Sequence, residues 1–493
     1  MKLAIVVQRY GPSINGGAEL HARYVAEHLA RHAEVEVWTT CATDYVTWRN
    51  ELQPGDDRVT NIVVRRFPVR HERDPLTFGR LSDTVFARPH SVADELEWLE
   101  AEGPTSPGLV SHISKHAGEF DFCIFFSYRY YHAFHGARAA GTKAILVPTA
   151  ERDPAVGLSI FAPIFRGVRA LMYNSPEERT MIQAVSQNEQ VPSVVVGIGS
   201  DVPQNPQPQR FRQKHNIRGA YAIYVGRIDE NKGCRDLFRH FETYLRHGAG
   251  RLTLVLVGNS ILDIPKHPRI RHLGFVDDTD KFDAIAGAEV LIMPSFFESL
   301  SMVALEAWAM GKPVLANARC DVLKGQCIRS NAGLYYENTA EFVETLRALE
   351  FNKWVAGSLG RNGRQYYRDN YDWPVIERKY LDMLHRLSAS GGGGFEPMPG
   401  WMERRKDRCR PATEVVDALP SGPSTAPEMT IPRPSGPISP PVPRRQPQAE
   451  RPPQAQDRDR GRHSHQRSGG SGGRRPQGQR GRRPSGQGSG ASR

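Results

Sequence analysis

The chain has 493 residues, 65 of them basic and 54 acidic, for a formal charge of +11. That length is too great for one ordinary core and fits two or three domains. The charge is uneven: residues 391–493 hold 19 basic and 9 acidic side chains, leaving 46 against 45 before them, so the body is nearly neutral and the tail is the basic part.

The cysteines Cys41, Cys123, Cys234, Cys320, Cys327 and Cys409 include no C-x-x-C pair and are too sparse for a secreted disulfide framework. Met1 to Val7 is too short for a signal-peptide core, and no apolar run reaches bilayer length. The expectation is a cytoplasmic protein, at most peripheral to the inner face of a membrane.

From Lys2 onward, short Val- and Ile-rich runs alternate with stretches of helical spacing, the pattern of parallel sheets covered on both faces. Strands are expected at 2–7, 34–38, 61–67, 121–126, 143–147 and 170–173, and a helix at 18–32 whose Leu20, Tyr24, Val25 and Leu29 form one stripe. These make a first Rossmann-like domain, residues 1–197. "SVVVGIGSDVPQNPQPQ" leads into a connector and hinge over 198–220. The pattern restarts at "YAIYVGRIDENKG", with strands at 252–257, 270–275, 290–293 and 313–316, giving a second domain over 221–372 and a helix at 373–389 that packs back on the first. Residues 390–493, rich in Pro, Gly, Arg, Gln and Ser, read as disordered. The fold class is α/β, with two facing Rossmann-like domains and a cleft at the carboxyl ends of their strands.

Three stretches carry chemistry. In "PSFFESLSMVALEAWAMGKP", a strand delivers the chain to a helix whose first turn favours phosphate, with the amides of Ser299, Leu300, Ser301, Met302 and Val303 as donors. Glu298 stands just outside that turn, where it can take sugar hydroxyls. Glu306, eight residues on at about 1.5 Å each, lies on the order of 12 Å away and suits a second polyol. In "GRIDENKG", Gly226 ends a strand, Arg227 follows it, and Lys232 precedes Gly233 at the next helix; the two cations can neutralise a diphosphate without a metal. In "GPSINGGAEL", Gly16 and Gly17 open the helix that faces this ligand.

Gly226-Arg227, Lys232-Gly233 and the Glu298-x7-Glu306 spacing, in that order, resemble glycosyltransferase family 4, retaining enzymes of the GT-B fold. The resemblance spans roughly residues 1–388 and implies a nucleotide-diphosphate sugar as donor, no further cofactor, and transfer to a carbohydrate or lipid-linked acceptor. It implies that Arg227 and Lys232 take the pyrophosphate, Glu298 the sugar and Glu306 the ribose. Three departures leave sugar and acceptor unassigned. Ser301 stands near a usual glycine, where it can crowd or hydrogen-bond the sugar. The glycine pair usual after "PVLA" is missing. In place of the acceptor-side histidine, "FFSYRYYHAF" and "PTAERDP" supply Tyr128, Arg129, Glu151 and Asp153. A nucleotide-sugar epimerase of similar architecture is the alternative, separable by its product.

Other features take plainer readings. Asp278-Thr279-Asp280 has a D-x-D form, but with Asp277 it reads as a helix cap, and Asp457-Arg458-Asp459 lies in the tail. His21, His112, His132 and His135 show no metal spacing, so no metal is expected. "IFAPIFRGVRALMY" reads as a helix on the sheet, with a membrane-touching surface as the competing reading. From Arg460 on there are nine arginines, no acid and no aromatic, a composition that attracts nucleic acid electrostatically but reads first as a solvated extension.

Overall fold

A computed structural model describes residues 1–14, 16–246, 250–395, 408–426 and 428. The chain falls into two compact units, Met1–Pro434 and Ser435–Arg493, and only the first contains described residues. The arginine-rich stretch from Arg460 and Asp457-Arg458-Asp459 lie outside the described residues.

The first sheet comprises β1 (Lys2–Val6), β2 (Glu34–Thr40), β3 (Gly55–Val59), β4 (Ile62–Phe67), β5 (Phe122–Phe126), β6 (Ala144–Val147), β7 (Ala170–Tyr173) and β8 (Ser193–Val195), in spatial order β3-β4-β2-β1-β5-β6-β7-β8. All neighbours are parallel except the β3/β4 hairpin at the edge. The second comprises β9 (Tyr221–Val225), β10 (Thr253–Val257), β11 (Ile270–His272), β12 (Val290–Met293), β13 (Val314–Asn317) and β14 (Gly333–Tyr336), in order β11-β10-β9-β12-β13-β14 and parallel throughout. Strands such as Phe122–Phe126 and Tyr221–Val225 are buried at every position because helices cover both faces, which is why they read as unbroken apolar runs.

The topology places the site. The strand order reverses between β1 and β5 in one sheet and between β9 and β12 in the other. Loops at such switch points splay apart and leave a crevice beyond the strand ends. "GPSINGG" follows β1, "GRIDENKG" follows β9 and "PSFFESLS" follows β12, so all three stretches open onto the crevices.

Helix Trp373–Ala389 crosses back to the first sheet. Trp373 stacks on His28 at 3.5 Å between ring centroids, Glu377 Oε1 lies 2.7 Å from His28 Nδ1, and Lys379 Nζ donates to the Val196 carbonyl at 2.9 Å. The crossing is tight: a Cβ on Gly197 would sit 2.6 Å from the Tyr371 ring, and one on Gly199 2.6 Å from the Trp373 ring. "IFAPIFRGVRALMY" is interior: Phe161, Ile164, Phe165 and Val168 are buried, so these side chains offer no membrane-facing surface.

The expectation of disorder over 390–493 fails for residues 408–426 and 428. Cys409 pairs with His90 through two backbone hydrogen bonds, helix Ala412–Asp417 buries Ala412 and Val416 on the first domain, and Arg152 Nη1 donates to the Val416 carbonyl at 3.1 Å. Further on, Glu428 accepts from Arg329 Nε at 2.8 Å and from the hydroxyls of Tyr366 and Tyr371, while Arg329 also pairs with Glu177 of the first domain. Composition hides this strap because its anchoring residues are few and spaced among prolines. Each anchor nevertheless meets a preformed partner, and that offsets the entropy of ordering.

Candidate functional site

One cleft of about 710 Å³, a size suited to a small organic ligand, is lined by both domains. Gly16, Gly17, Tyr128, Arg129, Glu151 and Asp153 line it from the first domain; Gly226, Arg227, Lys232, Glu298, Ser299, Leu300, Ser301, Met302, Val303 and Glu306 line it from the second. Gly233 alone of the expected residues stands behind the wall. Its φ is +69° and a Cβ there would sit 2.0 Å from the Pro294 carbonyl oxygen, so the helix starting at Cys234 can approach the β12 loop only with glycine at this point.

The cations on the second wall are held from behind. Asp229 accepts from Arg227 Nε and, through Oδ1, from the Lys232 amide at 2.8 Å, so one carboxylate aims both residues. Lys232 Nζ lies 2.8 Å from Glu298 Oε1. Burial works against the lysine's charge, but Glu298 and Glu151 outweigh it and hold its pKa above the ordinary value. Arg227 Nη1 also donates to the Tyr45 hydroxyl at 2.9 Å, a contact from one domain to the other.

The helix of the two glutamates is shorter than the periodicity suggests. It runs from Met302 to Ala309, and Ser301 is its N-cap, with Oγ accepting from the Ala304 amide at 3.2 Å. Ser301 is therefore engaged in capping rather than presented to a sugar, and an N-cap of this kind adds about 1 kcal/mol. Glu298 sits in the loop before it, so the estimate of about 12 Å from continuous helical rise does not apply. Glu306 is 2% exposed; its Oε1 accepts from Ser200 Oγ at 2.9 Å and Lys281 Nζ at 3.0 Å. Its Oε2 is buried with no partner. Oε2 is therefore the side of the carboxylate that no protein donor occupies.

On the first wall Arg129 bridges Glu102 at 2.8 Å and Asp153 at 2.6 Å, while Asp153 Oδ1, the Tyr128 hydroxyl and Asn174 Oδ1 are buried without a protein partner. Tyr128 packs edge-on to Phe161 at 4.8 Å and is 2% exposed; it supports the wall rather than projecting from it. Gly16 precedes helix Gly17–Leu29, and a Cβ there would meet the Glu19 carboxylate at 2.1 Å, whereas one on Gly17 would meet nothing within 4 Å. Burial pushes the Glu151 carboxyl up to about 7, opposed by Lys232 and reinforced by Glu298 and Asp153.

Several lining residues escape the motif reading. Arg9 donates to Glu19 Oε1 at 2.8 Å through Nε, Asn174 Nδ2 reaches Ser299 Oγ across the cleft at 3.3 Å, and Tyr45 and Lys281 join the pairs above, with Ser200 holding Glu306 from behind the lining. Arg9 was legible, since it follows β1 much as Arg227 follows β9. The others meet their partners only through long-range packing.

The plainer readings map simply. Asp277 caps helix Asp278–Gly287 through the Asp280 amide at 2.8 Å, and Asp280 is occupied by Lys214 and His215. His21 and His132 are buried, and burial lowers their pKa values to about 3 and about 4. Cys320 and Cys327 are buried side chains of the second domain's core.

Comparison with known proteins agrees with this geometry. Sucrose-phosphate synthase of Thermosynechococcus elongatus superposes with a TM-score of 0.57 at 17% identity, covering 79% of this chain and all of that one. HepE of Anabaena, solved with UDP-glucose, gives 0.57 at 18% identity, covering 78% and all of that chain. The fold is GT-B. Within this GT-B chain, residues 219–350 match the family described as Glycosyl transferases group 1. That span holds Arg227, Lys232, Glu298 and Glu306. Glycogen synthase of Mycobacterium tuberculosis is 26% identical over 168 residues, 32% of this chain, and the chain spans 40% of the length of that relative. A glycosyltransferase of Methanocaldococcus jannaschii is 23% identical over 350 residues, 64% of this chain and 80% of that one. Among the described residues no helix is long and apolar enough to cross a membrane.

Proposed function

We propose that this protein is a glycosyltransferase that moves a sugar from a nucleotide-diphosphate sugar to an acceptor hydroxyl with retention of anomeric configuration. The observation that carries the proposal is the second wall of the cleft. Arg227 and Lys232 are positioned by one buried carboxylate, Glu298 stands beside the lysine, and Glu306, whose Oε2 has no protein partner, lines the same cavity. The group 1 family match over this wall and the UDP-glucose in the HepE structure support a donor of this class.

The chemistry follows from the charges. The diphosphate lies against Arg227, Lys232 and the free amides at the start of helix Met302–Ala309, donors that stabilise the negative charge growing on it as the glycosidic bond breaks. Glu298 orients the sugar hydroxyls and Glu306 Oε2 accepts from the ribose. The acceptor hydroxyl enters from the first wall on the face the phosphate leaves, and its proton passes to the departing phosphate oxygen. Retention rests on the resemblance to the retaining family. The cations present neutralise a diphosphate directly, so catalysis is read as metal-independent.

Incubation with a panel of nucleotide sugars and acceptors, followed by mass spectrometry of products and release of free nucleotide diphosphate, tests this reading. Acceptor-dependent release with a glycosylated product is expected. A new nucleotide sugar formed without acceptor would replace transfer by epimerisation.

A further inference from the structure

The strap touches the first domain at a group of side chains remote from the cleft. His90 Nε2, Glu95 Oε1 and Cys409 Sγ all lie within 4.8 Å of one another, and none of the three residues lines the cleft. His90 and Glu95 are buried, at 3% and 1% exposure, and Cys409 is part-buried at the outer side.

The hydrogen bonds around His90 pose a problem. Its Nδ1 lies 2.8 Å from the Arg88 carbonyl oxygen, which has no proton to give, so Nδ1 carries the hydrogen. In the neutral ring Nε2 then presents a lone pair to Glu95 Oε1, 2.9 Å away. Two lone pairs at that distance repel unless a proton or a metal cation sits between them.

The surroundings favour the metal. A ligating histidine usually donates its other ring nitrogen to a backbone carbonyl, as Nδ1 does to Arg88. Glu95 is fixed by the Ser159 amide at 3.1 Å on Oε1, and by Ser159 Oγ at 2.8 Å and the Ile160 amide at 2.9 Å on Oε2. Ser159 Oγ is also 3.6 Å from Cys409 Sγ, so one residue supports two of the three ligand groups. Cys409 is delivered opposite His90 by paired backbone hydrogen bonds of 2.7 and 3.2 Å.

We propose that His90 Nε2, Glu95 Oε1 and Cys409 Sγ bind a zinc-class divalent cation that fastens the C-terminal strap to the first domain. Nitrogen, oxygen and thiolate sulfur together suit tetrahedral zinc, with the fourth position open to water on the outer side of Cys409. On binding, the thiol releases its proton to solvent and three metal bonds form, with no change in oxidation state. The role is structural, and the transfer chemistry of the cleft does not depend on it.

Full-length untagged protein, saturated with zinc and dialysed into metal-free buffer, is to be assayed for bound metal. About one zinc per chain is expected, a level that Cys41→Ser retains while His90→Gln and Cys409→Ser lose most of it. Refilling chelator-treated wild-type protein with cobalt(II) should give thiolate-to-cobalt charge-transfer absorption that Cys409→Ser lacks. Circular dichroism confirms that the variants are folded, and the wild-type cobalt spectrum stands independently of them. Wild-type protein without retained zinc and without the charge-transfer band would overturn the proposal and leave a proton between His90 and Glu95. Equal zinc in wild type and Cys409→Ser would overturn the assignment of sulfur.

Discussion

The two walls of the cleft are built from the same kind of element, a loop leaving the carboxyl end of a parallel strand, yet they differ in how their charges are used. On the second wall Asp229 positions both Arg227 and Lys232, whose outward contacts are to the Tyr45 hydroxyl and to Glu298, and Glu306 keeps one oxygen without a protein partner. On the first wall Arg9 pairs with Glu19 and Arg129 with Glu102 and Asp153. The second wall gathers its cations around one buried carboxylate, whereas the first wall spreads its charge over separate pairs and sets the buried Glu151 against Lys232 and Glu298.

That contrast is breakable by substitution, beginning with the largest effect. Lys232→Ala removes a cation whose charge is needed where negative charge develops, so turnover should fall roughly 10²- to 10³-fold or more with the circular dichroism spectrum unchanged. Unaltered turnover would show that the second wall is not the catalytic one. Glu306→Ala removes one of the two carboxylates that pair with the part-buried Lys281, leaving Asp278 at 3.1 Å, and should cost roughly 1–3 kcal/mol of stability in denaturant unfolding. Glu306→Gln keeps the volume and should chiefly raise the donor KM, by roughly tenfold.

Glu151 sharpens the comparison because it is the first-wall acid that faces the second-wall charges. Its pKa is raised from 4.5 to about 7 by burial, countered by Lys232 and reinforced by Glu298 and Asp153. A raised folded-state value means the protonated form is favoured by the fold. The associated stability is full below about 4.5 and is lost as pH climbs through about 7. The melting temperature of the wild type relative to Glu151→Gln should therefore decline across that window. The donor KM should rise above neutral pH in the wild type, as a second negative charge meets the diphosphate, and stay level in Glu151→Gln. The smallest effect is expected from Tyr45→Phe, which removes one exposed hydrogen bond from the Arg227 guanidinium to a hydroxyl of the other domain, worth about 1 kcal/mol. A change of a few-fold in KM with kcat nearly intact, measured by initial rates, would assign Tyr45 to closure rather than chemistry.

Much of the second wall was legible because its chemistry is local. A glycine and arginine after one strand, a lysine and glycine before the next helix, and two glutamates at fixed spacing each lie within a stretch of under a dozen residues. The first wall was legible only in part: Gly16, Gly17, Tyr128, Arg129, Glu151 and Asp153 line it, but Tyr45 meets Arg227 across 182 positions and Ser200, behind the lining, meets Glu306 across 106. Ser301 misled for a related reason: whether a serine caps a helix or faces a ligand depends on where the helix begins, and the apolar run around it does not fix that boundary. The strap escaped notice because composition averages over a segment, whereas Cys409, Val416 and Glu428 act singly.

By itself the sequence determined the alternation of buried strands and covering helices, and so two parallel α/β domains, because periodicity and apolar content are properties of consecutive residues. It also determined the cationic and acidic groups of the second wall. Only the tertiary structure decided which charges are neutralised by partners, which oxygen of Glu306 is left over, and that a cysteine more than 300 positions from His90 comes to lie against it. Pairing and burial depend on what the fold brings within a few ångströms, and chain order carries no direct record of that distance.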